Sequence, residues 1–200
     1  MEFFCRLYFA DRTVKLPLWG ANGTAEAENC TLSWQFRDIP GGKLLDLEVQ
    51  SGEPLGIRRI DSLVFTLPKP DPDHRIAFFG NNMHCSENRW PHELGENREY
   101  CTDCAGLFPH LAASGTVVAG VSPFASAFGA GVKKLPDGSL EYFAKTEFTE
   151  AIAQSCHLKA ERVLFCEDIT FDALYDLYAG LLPQSHFPMP KLMGWNTWDY

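Results

Sequence analysis

Apolar and polar residues alternate along much of the chain. Every second residue is apolar between Cys30 and Arg37, and again between Leu45 and Gln50. A period of two places one face of a strand on a core and the other face in water. The residues between these runs, Pro40-Gly41-Gly42, are typical of a turn. The pattern therefore predicts a β-hairpin.

Further strands are predicted by the same pattern. They lie at about Arg59–Leu67, Arg75–Phe79, Gly115–Val121, Gly131–Lys134 and Ser139–Phe148. The last two form the clearest hairpin, around Pro136-Asp137-Gly138. Another pair of strands is predicted at about Ile152–Ala160 and Arg162–Cys166. Many short antiparallel strands predict a mostly-β fold, an antiparallel β-sandwich.

The pattern changes once, near residue 170. Five apolar residues then recur at helical spacing: Phe171, Leu174, Tyr175, Tyr178 and Leu182. Thr170 is suited to cap the start of this helix, and Asp172 complements the helix dipole. Gly180 and Pro183 favour its end. We predict three parts: a sandwich over 1–168, a helix and Pro-rich connector over 169–190, and the start of a further domain over 191–200.

Charge and composition exclude several classes of function. The 200 residues carry 26 acidic and 17 basic side chains, for a net charge of −9, which argues against nucleic-acid and anionic-membrane partners. The stretch from Ala105 to Val132 contains no Asp, Glu, Lys or Arg and is long enough to span a bilayer. It also contains two prolines and many small residues, so we do not predict a transmembrane helix there. We expect no signal peptide, because the first residues have neither a basic region nor a long apolar stretch, and the seven cysteines are an odd number. We expect a cytoplasmic protein with reduced thiols.

One cysteine motif raises the question of a metal. Cys101 and Cys104 form a Cys-x-x-Cys pair, and Cys85 lies upstream. Thiolates at this spacing can bind zinc, but a zinc ribbon would show a second pair. Loop thiols without a metal are the simpler interpretation, and zinc is the weak alternative. No other pattern calls for a cofactor.

The last residues resemble a known family of enzymes. Two tryptophans, an aspartate and a tyrosine crowd the final six positions, directly after the connector. The run Met193-Gly194-Trp195-Asn196-Thr197-Trp198-Asp199 resembles the opening strand of the catalytic barrel in α-galactosidase-type glycoside hydrolases of families 27 and 36. The order of sandwich, helix and Pro-containing linker resembles family 36.

The resemblance implies a parent enzyme that cleaves terminal α-galactosyl residues with retention. Such chemistry needs two carboxylates about 5–5.5 Å apart across the sugar. In this family they come from later strands of a (β/α)8 barrel, so the 200-residue segment alone is predicted to be inactive. The implied partners are an α-galactoside, the missing catalytic barrel and a further copy of the chain in a homo-oligomer. The segment would brace the barrel.

Three residues are the candidates for contact with substrate. By the resemblance, Trp198 matches the aromatic residue at the base of the sugar pocket, where an indole can pack on the sugar ring. Asp199 follows it and could hydrogen-bond a hydroxyl, although many relatives have another residue there. Trp90 lies in a long polar stretch from about Gly80 to Leu107, predicted as a loop that could reach the pocket or instead fold onto its own sheet.

A second interpretation comes from a different class of protein. The chain could be a stand-alone carbohydrate-binding or interaction module with a complete sandwich. Trp90, Trp195 and Trp198 would then form an exposed platform for a sugar.

Overall fold

A computed structural model of the chain describes residues 1–69, 77–80, 89–93, 99–102, 105–109, 114–121 and 126–181. In this part most residues lie in strands that form two antiparallel sheets. The predicted mostly-β sandwich is confirmed.

The strands and helices are numbered in chain order. The strands are β1 Phe4–Tyr8, β2 Thr13–Pro17, β3 Asn22–Ala27, β4 Cys30–Ile39, β5 Gly42–Ser51, β6 Arg59–Leu67, β7 Ala77–Gly80, β8 Arg89–Glu93, β9 Glu99–Thr102, β10 Ala105–Pro109, β11 Ser114–Gly120, β12 Ala127–Lys134, β13 Leu140–Glu147, β14 His157–Lys159 and β15 Val163–Thr170. The helices are α1 Glu150–Ala153 and α2 Phe171–Leu181.

The two sheets differ in size. The smaller sheet has six strands in the order β2-β1-β6-β13-β12-β9. The larger sheet has nine, in the order β3-β4-β5-β15-β11-β10-β7-β8, with β14 beside β5. Every pairing among the described strands is antiparallel.

The core lies between the inner faces of the two sheets. It contains aliphatic and aromatic side chains from both, among them Leu7, Leu32, Leu47, Leu63, Phe65, Tyr142 and Phe165. The rings of Phe65 and Tyr142 stack at 5.1 Å, and Phe165 meets Phe65 edge-on at 5.1 Å. The alternating residues of β4 and β5 lie as the sequence predicts, with Leu32, Trp34, Leu45, Leu47 and Val49 all buried.

Both predicted hairpins are present. β4 and β5 pair from Cys30 opposite Ser51 to Ile39 opposite Gly42, and Gly41 makes the turn with a φ of +85°. The second turn places Gly138 at a φ of +85°, which favours glycine. There Asp137 accepts hydrogen bonds from the backbone N–H and the hydroxyl of Ser139, at 2.9 and 2.6 Å.

Helix α2 confirms the predicted change of pattern. The hydroxyl of Thr170 accepts a hydrogen bond from the N–H of Ala173 at 3.3 Å, which caps the first turn. Four side chains of the helix pack on the outer face of the nine-stranded sheet: Leu174, Leu177, Tyr178 and Leu181. The hydroxyl of Tyr178 also donates to the carbonyl of Gly120 at 2.8 Å.

One predicted pair of strands is wrong. Ile152 lies in α1, and β14 pairs with β5 rather than with β15. The reason is the length of β5, whose first residues pair with β15 and whose last residues pair with β14. The ten-residue β5 therefore pairs with two shorter strands, one after the other along its length.

Residues 182–200 lie outside the described residues, and with them the connector and the predicted barrel strand. The division at 168 and 190 stays a prediction. In the described part of the chain, no helix is long and apolar enough to cross a membrane.

Candidate functional site

The outer face of the six-stranded sheet carries a cluster of charged side chains. In β1, Cys5 and Leu7 face the core, so Arg6 and Tyr8 face outward. On the neighbouring strands they meet Asp61, Arg59 and Glu141. We call these five residues, Arg6, Tyr8, Arg59, Asp61 and Glu141, the Asp61 cluster.

Asp61 is the centre of this cluster and is fully buried. Its carboxylate accepts three hydrogen bonds: from Arg6 Nε at 3.0 Å, from the hydroxyl of Tyr8 at 2.9 Å and from Arg59 Nε at 2.6 Å. Arg6 also donates from Nη1 to Glu141 at 2.9 Å. The cluster therefore ties β1, β6 and β13 together through side chains.

A bulge in β6 gives Asp61 its outward position. Asp61 lies opposite Lys145 and Leu63 lies opposite Ala144, so Ser62 is an extra residue in β6. Residues two apart on a regular strand share a face, but here Leu63 enters the core while Asp61 faces outward. The hydroxyl of Ser62 donates to the carbonyl of Ala144 at 3.4 Å.

The electrostatics of the cluster favour structure over proton transfer. Burial, followed by the charge of Asp61, raises the pKa of Tyr8 to about 12, so its hydroxyl stays a donor at neutral pH. Burial alone lowers the pKa of Arg6, but Asp61 and Glu141 outweigh it and the pKa is raised. A catalytic carboxylate must reach its substrate, and Asp61 is covered by its own three donors.

Aromatic rings complete this outer face. The guanidinium of Arg59 lies 4.8 Å from the ring centre of Tyr8 and 5.5 Å from that of Phe143. Phe143 is itself buried and lies across Gly131, where a Cβ atom would overlap its ring. The signal for the cluster was present in the sequence, since Arg6 and Tyr8 alternate with apolar residues, but only the fold brings their partners to them.

A shallow cleft of about 300 Å³ opens at one end of the sandwich. It is lined by residues from three connections between strands: Phe9, Ala10, Asp11, Arg12, Glu28, Asn29, Cys30, Ser51, Glu53, Pro54, Leu55 and Gly56. Arg12 pairs with Asp11 at 2.9 Å and with Glu28 at 3.4 Å, and its guanidinium lies 4.7 Å from the ring centre of Phe9. This volume is at the lower end of the range for small-molecule sites.

The thiol in this cleft is not activated. Burial raises the pKa of Cys30, and the charges of Glu26 and Glu28 raise it further. Its Sγ donates to the carbonyl of Ala27 at 3.0 Å. Cys30 therefore stays protonated at neutral pH, which disfavours a nucleophilic role.

Of the three residues predicted to contact substrate, only Trp90 lies within the described residues. Trp198 and Asp199 lie outside the described residues. Trp90 lies in β8, which pairs with β7, so the predicted long loop from Gly80 to Leu107 is wrong: strands β8, β9 and β10 occupy much of it. The roles of all three residues stay predictions.

Only one of the three cysteines in the weak zinc alternative lies within the described residues. Cys101 lies in β9, whereas Cys85 and Cys104 lie outside the described residues. Among the residues that the structure describes, no group of three or more His, Cys, Asp or Glu side chains could hold a metal ion. The zinc alternative stays untested.

Comparisons with known proteins gave structural similarities alone. No protein-family model matches the sequence, and no match was found among curated proteins. An α-galactosidase from Lactobacillus brevis is 9% identical, with a TM-score of 0.48 over 72% of this chain and 22% of that one. A GH36 α-galactosidase from Geobacillus stearothermophilus is 10% identical, with a TM-score of 0.49 over 76% and 24%. Variants of the latter were solved with 1-deoxygalactonojirimycin and with stachyose. This chain thus spans 22–24% of the length of enzymes with which it shares a structural likeness.

Proposed function

We propose that the chain is the N-terminal, non-catalytic portion of a retaining α-galactosidase-like glycoside hydrolase that acts on terminal α-galactosides. The observation that carries the proposal is the run from Met193 to Asp199, which resembles the first strand of the catalytic barrel. It follows a β-sandwich and a packed helix in the order that family 36 is known for.

The sandwich would brace the barrel through α2. This helix is fixed at its start by the Thr170 cap and in its third turn by the bond from Tyr178 to Gly120. Its apolar side chains pack on the nine-stranded sheet, so its end at Leu181 has a defined place. Eleven residues separate that end from Met193, and a fixed helix would set where the barrel begins.

The sugar would be held outside the sandwich. Trp198 would stack on the sugar ring and Asp199 would accept a hydrogen bond from a hydroxyl. A segment near Trp90 would border the outer pocket. By the resemblance, the catalytic carboxylates would come from later strands of the barrel, and the buried Asp61 is not a candidate for this role because Arg6, Tyr8 and Arg59 enclose it.

The test begins with the coding DNA beyond the codon of Tyr200. We expect an open reading frame for a barrel, and we expect the longer protein, but not the 200-residue chain, to hydrolyse p-nitrophenyl α-galactoside. Hydrolysis by the 200-residue chain would contradict the proposal. A stop codon at that point, together with galactoside binding by the chain alone, would favour the stand-alone carbohydrate-binding module instead.

In the longer enzyme, Trp198→Ala tests the sugar contact. Loss of ring stacking worth about 1.4 kcal/mol corresponds to a tenfold lower kcat/KM. Trp195→Ala is the matched control, because residues three apart on a strand face opposite sides. We expect Trp195→Ala to lower stability while leaving the KM for galactoside nearly unchanged.

A further inference from the structure

The free edge of β3 is the starting point. Within the described residues, β3 pairs only with β4. The N–H of Phe36 donates to the carbonyl of Ala21 at 2.6 Å, so the residues of β3 at odd-numbered positions bond to β4. Because bonding alternates along an antiparallel strand, Asn22, Thr24 and Glu26 direct their backbone N–H and C=O groups to the free side.

This edge lacks the protection that the other outer strands carry. β2 contains Lys15 and Pro17, β8 contains Arg89 and Pro91, and β9 has only four residues. Lysine, proline and shortness are the usual devices that keep an edge from pairing. β3 has the sequence Asn-Gly-Thr-Ala-Glu-Ala, with no lysine, arginine or proline. It is thus open to the addition of a strand.

The carboxylate of the one charged residue in β3 already has a partner. Glu26 accepts a hydrogen bond from the hydroxyl of Thr31 on β4, at 2.9 Å. The inward-facing Gly23 and Ala25 are only half-buried, as expected of an edge on which no other described strand lies. An incoming strand would therefore meet small side chains and one engaged carboxylate.

An exposed tryptophan lies just before this strand. The side chain of Trp19 is 78% exposed, although the connection that holds it is well anchored. On one side the N–H of the buried Leu18 donates to the carbonyl of Phe3 at 2.9 Å, and on the other Ala21 is bonded to Phe36. Tryptophan is enriched at the central contacts of protein interfaces.

We propose that a second copy of this chain pairs its β3 antiparallel with this β3, about a two-fold axis at Thr24. Thr24 then lies opposite the partner's Thr24, and Asn22 lies opposite the partner's Glu26. The three residue pairs along this edge each exchange two backbone hydrogen bonds. No like charges lie opposite one another, and facing threonines favour cross-strand pairing.

The same pairing brings the exposed tryptophan towards the cleft. Trp19 precedes β3 and Asn29 follows it, so antiparallel pairing places Trp19 of one copy at the same end of the interface as the partner's Asn29. Asn29 lines the 300 Å³ cleft, together with Leu55 and the half-exposed guanidinium of Arg12. The indole packs there, where a guanidinium favours an aromatic face. Each copy offers both the tryptophan and the cleft, which is the self-complementarity that a two-fold interface requires.

A disulfide trap tests the register with the full 200-residue chain. Cα atoms in a hydrogen-bonded antiparallel pair lie about 5.5 Å apart, within the range that a disulfide spans. Thr24→Cys should therefore give a covalent dimer on mild oxidation, seen on a non-reducing gel. Thr13→Cys, at an exposed threonine on β2, an outer strand of the six-stranded sheet, is the matched control and should remain at the level of the unmodified chain. The crosslinking of the unmodified chain measures the background from its native cysteines, including the exposed Cys156.

The mass in solution supplies the second test. Light scattering after size exclusion should show a concentration-dependent species of twice the chain mass. Thr24→Pro removes an N–H that the single chain does not use, so it should abolish the dimer while the circular dichroism stays unchanged. Trp19→Ala should raise the dimer dissociation constant at least about tenfold. A monomer at all concentrations, a dimer that survives Thr24→Pro, or equal crosslinking of Thr24→Cys and Thr13→Cys overturns the proposal.

Discussion

The outer face of each sheet carries a buried patch among the described residues, and the two patches differ in chemistry. On the six-stranded sheet, the side chains of β1, β6 and β13 cover their own face through the Asp61 cluster and Phe143. On the nine-stranded sheet, an added layer covers the face, since α2 packs Leu174, Leu177 and Leu181 on apolar residues.

The two patches contribute differently to the fold: the apolar one adds stability, and the charged one selects a single arrangement of strands. An apolar seam such as that under α2 stabilises in proportion to its buried area and tolerates small shifts. A buried carboxylate with three donors costs desolvation and is favourable only in the one arrangement that satisfies it. We infer that the Asp61 cluster fixes the register of β1, β6 and β13, whereas the seam holds α2 in place.

The largest expected loss of stability comes from removing the carboxylate of Asp61. Asp61→Ala leaves Arg6 and Arg59 without their shared carboxylate, so the free energy of unfolding should fall by about 3–5 kcal/mol in urea titrations. Glu147→Ala, at an exposed carboxylate that pairs with Lys145 on the same strand, is the control and should change stability by about 0.5 kcal/mol or less. Equal effects of the two substitutions would show that the cluster adds nothing specific.

Overfilling the same face should cost less. In Gly131→Ala the new methyl group overlaps the ring of Phe143, and the forced repacking should cost about 1–3 kcal/mol. Gly52→Ala is the control, because nothing lies within 4 Å of a Cβ at that position. Thermal unfolding of the two variants would separate them, and a Gly131→Ala variant as stable as Gly52→Ala would contradict the close contact with Phe143.

The donor from Tyr8 gives the cluster a pH dependence. Its pKa is about 12 in the folded chain against about 10 for an unfolded tyrosine, so its stabilisation is complete below about pH 10 and lost as the pH rises through 12. Tyr8→Phe should remove about 1–2 kcal/mol at neutral pH, since it deletes a hydrogen bond to a carboxylate. Urea midpoints from pH 8 to 12 should show the gap between the two proteins closing above pH 10. A constant gap would argue against the bond to Asp61.

The apolar face should respond locally. Leu177→Ala removes a partly buried side chain from the seam and should cost about 1–1.5 kcal/mol. Hydrogen exchange should then speed up in α2 more than in β13, because the helix can detach without opening the core. Asp176→Ala, an exposed position in the same helix, should leave both rates unchanged. Uniform acceleration over the whole chain would mean that α2 belongs to the same cooperative unit as the sandwich.

Local patterns predicted those elements whose signals lie within a few residues. The hairpin at Gly41 follows from two alternating runs and a turn, and α2 follows from its apolar spacing and the cap at Thr170. The polar stretch around Trp90 predicts a loop, but part of it forms β8 at the edge of the nine-stranded sheet. An edge strand needs no regular apolar alternation, so the composition alone does not reveal it. The same limit applied to Ile152–Ala160, where β5 supplied the partner.

The sequence by itself determined which face of most strands is apolar, where the turns fall and where the helix starts, since those depend on neighbouring residues. Only the tertiary structure decided which strands are neighbours, that a bulge at Ser62 turns Asp61 outward, and that Arg6, Tyr8 and Arg59 meet there. Alternation along a strand specifies a face but not a partner. The partners of Asp61 come from positions 2 to 55 residues away, and pairing of the sheets is what brings them within hydrogen-bond distance.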